Sequence, residues 1–253
     1  MIFLRSALFM LWAVLITAVA GIPVVIAALL RCVWGFHVVY VWRRCFMVGV
    51  RWILGIRTEI HGRENMPAAA CVILAKHQSA WETVALQDLR SPGEYCVFVL
   101  KKELLKLPFF GWALAAMRMI SIDRTSIREA LNQVMEQGKD RLEQGYSVII
   151  FPEGTRVAPG EKGRYKPGGA YLAVRAGAMV VPVAHNAGEL WPRQAFLKKP
   201  GTITVSIGPA FSAAGLSEQA VNRRVEAWIE DEMKRLSPHR YPDAQPKAET
   251  IVA

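Results

Sequence analysis

The sequence predicts an α/β fold: a mostly parallel central sheet flanked by helices, preceded by an N-terminal membrane-embedded helical segment. Three observations predict it. Strand patterns recur near 56–61, 70–75, 95–100, 118–122, 147–151, 180–185 and 202–207, with helical patterns between them, and strands alternating with helices imply a mostly parallel sheet covered on both faces. Two of those segments end in charged loops, one with a histidine and one with proline and glycine, at the strand ends beyond which open α/β sheets bind ligands. No charged residue occurs from Ser6 to Leu30, a length that suffices for a hydrocarbon core, which needs about 20 residues.

At the start of the chain, Gly21 and Pro23 interrupt the first apolar run, and a second run, Cys32 to Trp42, is too short to span alone. Three readings fit. One is a single spanning helix followed by an interfacial one. Another is a helical hairpin dipping into one leaflet, bent near Gly21-Ile22-Pro23. The third is a cleaved signal peptide, because Ala18-Val19-Ala20 matches the small-x-small cleavage pattern; the apolar run continues past that cut, which counts against it. Residues 1–63 hold seven arginines and one acid, Glu59, in a chain of formal charge +10. Arginines bordering apolar helices suit an anionic bilayer surface, where each contributes about 1 kcal/mol. If the chain spans once, the arginines after residue 30 place its body on the cytoplasmic side. No zinc-finger spacing, helix-turn-helix signal or aromatic RNP run is present, so the charge points to membrane lipids and not to nucleic acid. Cys32, Cys45, Cys71 and Cys96 form no C-x-x-C pair, which suggests neither a metal framework nor a disulfide scaffold; no metal site is expected.

The expected organisation is a membrane helix or hairpin over 1–55, an α/β domain over 56–236 and a flexible tail over 237–253 with three prolines. Helices fit Ser79 to Leu89, Lys102 to Met117, Ser126 to Glu143, Gly169 to Arg175 and Ser217 to Leu236. The third has Ile127, Leu131, Val134, Met135 and Leu142 on one face, and the last opens on an N-cap at Ser217.

The strand at 70–75 ends in Lys76-His77-Gln78-Ser79-Ala80-Trp81-Glu82. A histidine at a strand end is commonly structural, and Ser79 with Glu82 reads as a capping box. The same spacing lets Glu82, in the first helical turn, reach back to the His77 imidazole. A carboxylate on one ring nitrogen fixes the tautomer and leaves the other as a base. Ser79 is not read as a nucleophile, because the chain has no G-x-S-x-G elbow. The strand at 147–151 ends in Phe151-Pro152-Glu153-Gly154-Thr155-Arg156. Cations cluster at these and neighbouring strand ends: Lys101 and Lys102, Arg124, Arg156, and Lys166 in Arg164-Tyr165-Lys166-Pro167-Gly168-Gly169. Singly each reads as a solvated surface charge; together they suit phosphate oxygens, which arginine forks match with two bonds. No G-x-x-x-x-G-K-[ST] loop is present, so nucleotide hydrolysis is not indicated.

Four ordered blocks, His77 through Glu82, Lys101-Lys102-Glu103-Leu104 through Ile122-Asp123-Arg124, Phe151 through Arg156, and Val181-Pro182-Val183, resemble the glycerolipid acyltransferase family, specifically its bacterial 1-acylglycerol-3-phosphate acyltransferases. Glu82 stands in place of the family's aspartate, and Pro167 stands where the family often shows a second lysine. The resemblance implies an O-acyltransferase domain over 56–236 at the cytoplasmic (inner) membrane, with no cofactor beyond acyl-CoA or acyl carrier protein as donor substrate. His77 would be the base and Glu82 its orienting carboxylate. Lys101, Lys102, Arg124, Glu153, Gly154, Thr155, Arg156 and Lys166 would form the acceptor site for lysophosphatidic acid. Another lysolipid acceptor such as lyso-ornithine lipid, or a non-catalytic membrane lipid-binding relative, remains open, as does a membrane hydrolase. Leu104, Leu105, Leu107, Phe109, Phe110 and Trp112 read as core or as an acyl groove.

Overall fold

The computed structural model describes residues 1–30, 35–90, 94–107, 110–123 and 125–241. Two helices open the chain, α1 (Ile2–Leu29) and α2 (Gly35–Trp52). They run antiparallel: Trp12 Nε1 donates to the Cys45 carbonyl at 3.1 Å, and Trp42 Nε1 to Thr17 Oγ1 at 3.1 Å. α1 continues through Pro23, so the chain does not reverse near Gly21-Ile22-Pro23 as a hairpin bent there would. Residues 31–34, between the two helices, lie outside the described residues.

α1 is packed into the body. Ser6 and Phe9 are buried; Ser6 Oγ accepts from Lys198 N at 3.0 Å, and Phe9 meets Trp191 edge-on at 5.4 Å. Cleavage after Ala20 would tear these contacts out, which argues against a signal peptide. The opposite face of α1 exposes Leu4, Leu8, Leu11, Leu15, Ile22, Ile26 and Leu29, spaced by three, four or seven residues as one stripe of a helix. By length and composition, Ile2–Ala27 is a candidate membrane span.

The rest is an α/β sandwich. The strands are β1 (Ile56–His61), β2 (Val72–Ala75), β3 (Cys96–Lys101), β4 (Ile120–Ile122), β5 (Ser147–Ile150), β6 (Met179–His185), β7 (Gly201–Ile207) and β8 (Phe211–Ser212). They form one sheet in the order β1-β7-β6-β2-β5-β3-β4, with β8 on β6. From β6 to β4 every neighbouring pair is parallel. β7 joins β6 antiparallel, and β1 lies parallel to β7. The connection between β6 and β7, residues 186–200, holds a four-residue helix with Pro192 and Pro200 and returns the chain antiparallel.

The remaining helices are α3 (Trp81–Ala85), α4 (Phe110–Ala116), α5 (Ile127–Glu143), α6 (Gly168–Ala176), α7 (Ala187–Leu190) and α8 (Glu218–Leu236). Ser126 and Ser217 cap α5 and α8, accepting from Glu129 N at 3.4 Å and Ala220 N at 3.2 Å. The helix expected from Ser79 to Leu89 is α3 followed by a 3₁₀ stretch, Leu86–Leu89, and the one from Lys102 to Met117 opens as 3₁₀ before α4. Of the tail expected from Ser237, Pro238–Arg240 form a 3₁₀ turn and Tyr241 packs on the core; residues 242–253 lie outside the described residues.

Alternation along β2 places the sheet between two cores. Val72 and Leu74 pack with Val134, Leu172, Val225 and Ile229 from α5, α6 and α8. Ile73 and Ala75 pack with Phe9, Val50, Trp81 and Leu86 on the other face, which joins the two N-terminal helices to the body.

Candidate active site

The carboxyl ends of β2, β5, β3, β4 and β6 share one edge of the sheet because these strands are parallel. β2 delivers Lys76 and His77 there, and the turn into α3 brings Glu82 back to them. His77 Nδ1 lies 2.8 Å from Glu82 Oε1. The same oxygen accepts the backbone N–H groups of Gln78 and Ser79 at 2.9 and 2.8 Å, while Ser79 Oγ accepts from Trp81 N at 3.1 Å. Glu82 thus both orients His77 and returns a bond to Ser79 N–H as a capping box does, but α3 starts one residue later than that box, with Ala80 at its N-cap and no side-chain cap bond. One carboxylate oxygen receives two backbone donors and the imidazole. Glu82 is fully buried. Burial alone would favour its protonated form, but the His77 hydrogen bond and the neighbouring His185 and Ser79 hold its pKa below the usual glutamate value. An Nδ1–H donated to that anion leaves Nε2 of His77 as the proton acceptor.

His77 also lines a cavity of about 400 Å³. Its walls are apolar: Val99, Ile122 and Ile150 from the sheet, Ile127, Leu131 and Val134 from α5. The exposed Arg164 and Lys166 stand with Gly154 on its open side. Gly154 adopts φ +66°, and a Cβ there would lie 2.8 Å from Lys166 Nζ. Glycine is thus required both by the left-handed backbone and by the approach of the amine.

Of the residues singled out from sequence, the structure brings His77, Gly154 and Lys166 together at this cavity, with Glu82 directly behind the imidazole. Glu153 is a correction: its carboxylate turns inward, away from the cavity. Glu153 Oε1 lies 2.7 Å from Lys76 Nζ, and Oε2 accepts the His77 N–H at 2.8 Å; a buried carboxylate needs such partners to stay charged. Lys101 and Lys102 are exposed at the end of β3 and do not line the cavity, nor do Thr155 and Arg156. Arg156 instead offers its carbonyl to Arg193 Nη1 at 3.3 Å. Arg124 lies outside the described residues. Leu105 packs on the core, whereas Leu104, Leu107 and Trp112 are exposed, and none of them lines this cavity.

Sequence reasoning passes over four residues here. Arg164 carries no signal beyond its charge. Lys76, directly after four fully buried strand residues, and Glu230, beside Ile229 on the buried stripe of α8, each place a charge in an apolar setting, which demands a partner. His185 ends a buried strand.

An oriented imidazole at a parallel-sheet edge, opening on an apolar cavity with exposed cations in its lining, is arranged for base catalysis on a substrate that is part apolar and part anionic. The chain belongs to the acyltransferase family, whose model, described as Acyltransferase, matches residues 57–186. It is 46% identical over 217 residues to a 1-acyl-sn-glycerol-3-phosphate acyltransferase of Pseudomonas aeruginosa, covering 85% of this chain and 83% of that one. It is 28% identical over 237 residues to the Saccharomyces cerevisiae enzyme of the same name, covering 91% of this chain and 76% of the other. The crystal structure of the 1-acyl-sn-glycerophosphate acyltransferase PlsC from Thermotoga maritima has the same fold, with a TM-score of 0.71 at 22% identity, covering 98% of this chain and 100% of that one.

Proposed function

We propose that this chain transfers a fatty acyl group from acyl-CoA or an acyl carrier protein to the sn-2 hydroxyl of lysophosphatidic acid, giving phosphatidic acid for phospholipid synthesis. The observation that carries the reading is the His77–Glu82 contact of 2.8 Å beside an apolar cavity rimmed by Lys166 and Arg164. The names of the Pseudomonas and yeast relatives support the acceptor.

His77 Nε2 takes the proton of the acceptor hydroxyl as its oxygen attacks the thioester carbonyl, and Glu82 stabilises the imidazolium. The tetrahedral adduct collapses with cleavage of the C–S bond, and the departing thiolate takes the proton from the imidazolium. A positioned base contributes about 10²–10⁴-fold, and alignment of the two substrates supplies much of the rest. The cavity walls hold an acyl chain. Lys166 and Arg164 hold the acceptor phosphate, and the family resemblance adds Arg124, Arg156 and one of Lys101 or Lys102. The ionised Glu82 and its contact with His77 favour a catalyst over a lipid-binding relative that has lost activity.

The exposed apolar stripe of α1, with Arg44 and Arg51 exposed on α2, seats the enzyme in the cytoplasmic (inner) membrane with its sheet on the cytoplasmic side. Lysolipid then enters without leaving the bilayer, avoiding about 0.8 kcal/mol per CH₂ exposed to water.

The test is an assay of the purified enzyme in vesicles, with labelled acyl-CoA or acyl carrier protein against lysophosphatidic acid, lyso-ornithine lipid and glycerol-3-phosphate. The expected result is phosphatidic acid, abolished by His77→Ala while vesicle binding persists. Preference for the lyso-ornithine acceptor, release of free fatty acid without acceptor, or an unaffected His77→Ala enzyme would each overturn the reading.

A further inference from the structure

The peptide unit joining Lys76 to His77 is held from both ends by buried side chains that come from different strands. Lys76 N–H makes the last ladder bond of β2, to the Val183 carbonyl at 2.9 Å. Beyond it, side chains replace the ladder. The Lys76 carbonyl accepts from His185 Nε2 at 2.8 Å, at the end of β6. The His77 N–H donates to Glu153 Oε2 at 2.8 Å, in the loop after β5. His185 Nδ1 accepts from Ala187 N at 3.3 Å, and that bond leaves the ring proton on Nε2.

Glu153 is fixed in turn. Lys76 Nζ lies 2.7 Å from Glu153 Oε1 and 2.8 Å from Glu230 Oε1 of α8, and Glu230 also accepts from Tyr165 Oη at 3.0 Å. Lys76 and His185 are fully buried, Glu153 is 3% exposed and Glu230 8%. A buried ion pair of this kind is weak support for stability, because desolvation opposes the Coulomb gain, and apolar residues of equal volume serve stability as well or better. A geometric role accounts for its presence.

We propose that His185, Lys76, Glu153 and Glu230 are positioning residues that clamp the 76–77 peptide and so aim the His77 imidazole. Glu82 grips one edge of the ring, but the direction in which the side chain leaves the backbone is set by this peptide. A rotation of about 15° there moves a ring nitrogen by about 1 Å, and misplacement on that scale costs about 10²-fold in rate. The inference rests on His77 being the base.

The experiment compares His185→Leu, His185→Gln and Glu230→Gln with wild type in vesicles, measuring kcat, both KM values and thermal unfolding. His185→Leu removes the donor to the Lys76 carbonyl, and kcat is expected to fall about 30–100-fold with both KM values within about twofold. His185→Gln keeps an N–H donor and is expected to recover at least tenfold of that loss. Glu230→Gln, which leaves Glu153 paired, is expected to lower kcat about threefold to tenfold. Wild-type kcat in folded His185→Leu or Glu230→Gln, equal losses in the two His185 variants, or KM rising in step with the fall in kcat would overturn the clamp. So would failure of all three to fold, which would make the network structural. An active His77→Ala enzyme strikes the catalytic reading instead, so the two failures are distinguishable.

Discussion

Phe151 lies face to face with His77, their ring centroids 4.2 Å apart and their planes inclined by 15°. The imidazole is thus confined on one flat side by an aromatic and at one edge by Glu82. Replacing Phe151 by Leu keeps apolar volume but removes the flat support, and kcat is expected to drop about tenfold with little change in either KM. Steady-state kinetics with both substrates varied checks this; an unchanged kcat means the stack is incidental.

Glu82→Gln keeps the shape of the side chain and loses its charge. The buried amide no longer stabilises the imidazolium, and kcat is expected to fall by about 10²–10⁴. Glu82→Asp keeps the charge but shortens the reach by one methylene. The oxygen that bonds His77, Gln78 and Ser79 at 2.8 to 2.9 Å cannot meet all three, so a smaller loss, about tenfold or more, is expected. Glu82→Asp at wild-type rate would mean the longer side chain is not needed for the geometry.

His185 gives the protein an acid-sensitive step. Burial pushes its pKa below the ordinary 6.5, more than Glu82 and the Lys76 carbonyl raise it. In the window below about 6.5 the unfolded chain binds a proton at this ring and the folded chain does not, so stability falls as pH falls from about 6.5 towards the depressed folded value. Thermal unfolding from pH 8 to pH 5 should show a decline that His185→Gln flattens. An identical slope in the variant would assign the decline to other groups.

Gly154→Ala meets both a left-handed backbone and the Lys166 amine. A destabilisation of about 1–2 kcal/mol is expected from the backbone. KM for a phosphorylated acceptor is expected to rise more than that for a neutral one, because Lys166 must move. Unfolding midpoints and KM values for the two acceptors measure these effects separately.

The cavity wall on α5 offers a test of which chains fit. Leu131→Trp places an indole into the space beside Ile127 and Val134. Turnover of long-chain acyl substrates is expected to fall at least tenfold against short ones, read from competition between donors of different length. Uniform loss across chain lengths would place the acyl chain elsewhere.

The seven strands expected from the sequence all occur, and the central ones, such as Val72–Ala75 and Ser147–Ile150, are buried runs whose burial is decided locally. The His77–Glu82 pair is legible for the same reason: five residues and one helical turn bring it together. His185 and Glu230 are not legible as partners of Lys76, since they stand 109 and 154 residues away and meet it only when β6 and α8 pack beside β2. Glu153 reads as a site residue from its place at a strand end, but which way its carboxylate turns depends on that distant assembly. The apolar face of α5 reads as core from its periodicity, and the sequence has no way to tell a filled interface from one left open beside His77. The β6–β7 reversal is not legible, because the connection at 186–200 is long enough for a parallel crossover as well.

Glu230 comes from the last long helix of the chain, and Lys76 from the second strand. During synthesis, Lys76 leaves the ribosome some 150 residues before its second carboxylate does. Until then the interior around the ammonium closes on too few counter-charges, and a chain cut short before α8 leaves Lys76 and Tyr165 without the acid that joins them. The nascent polypeptide is therefore expected to lack the finished support beneath the imidazole until α8 has emerged and folded back onto the sheet.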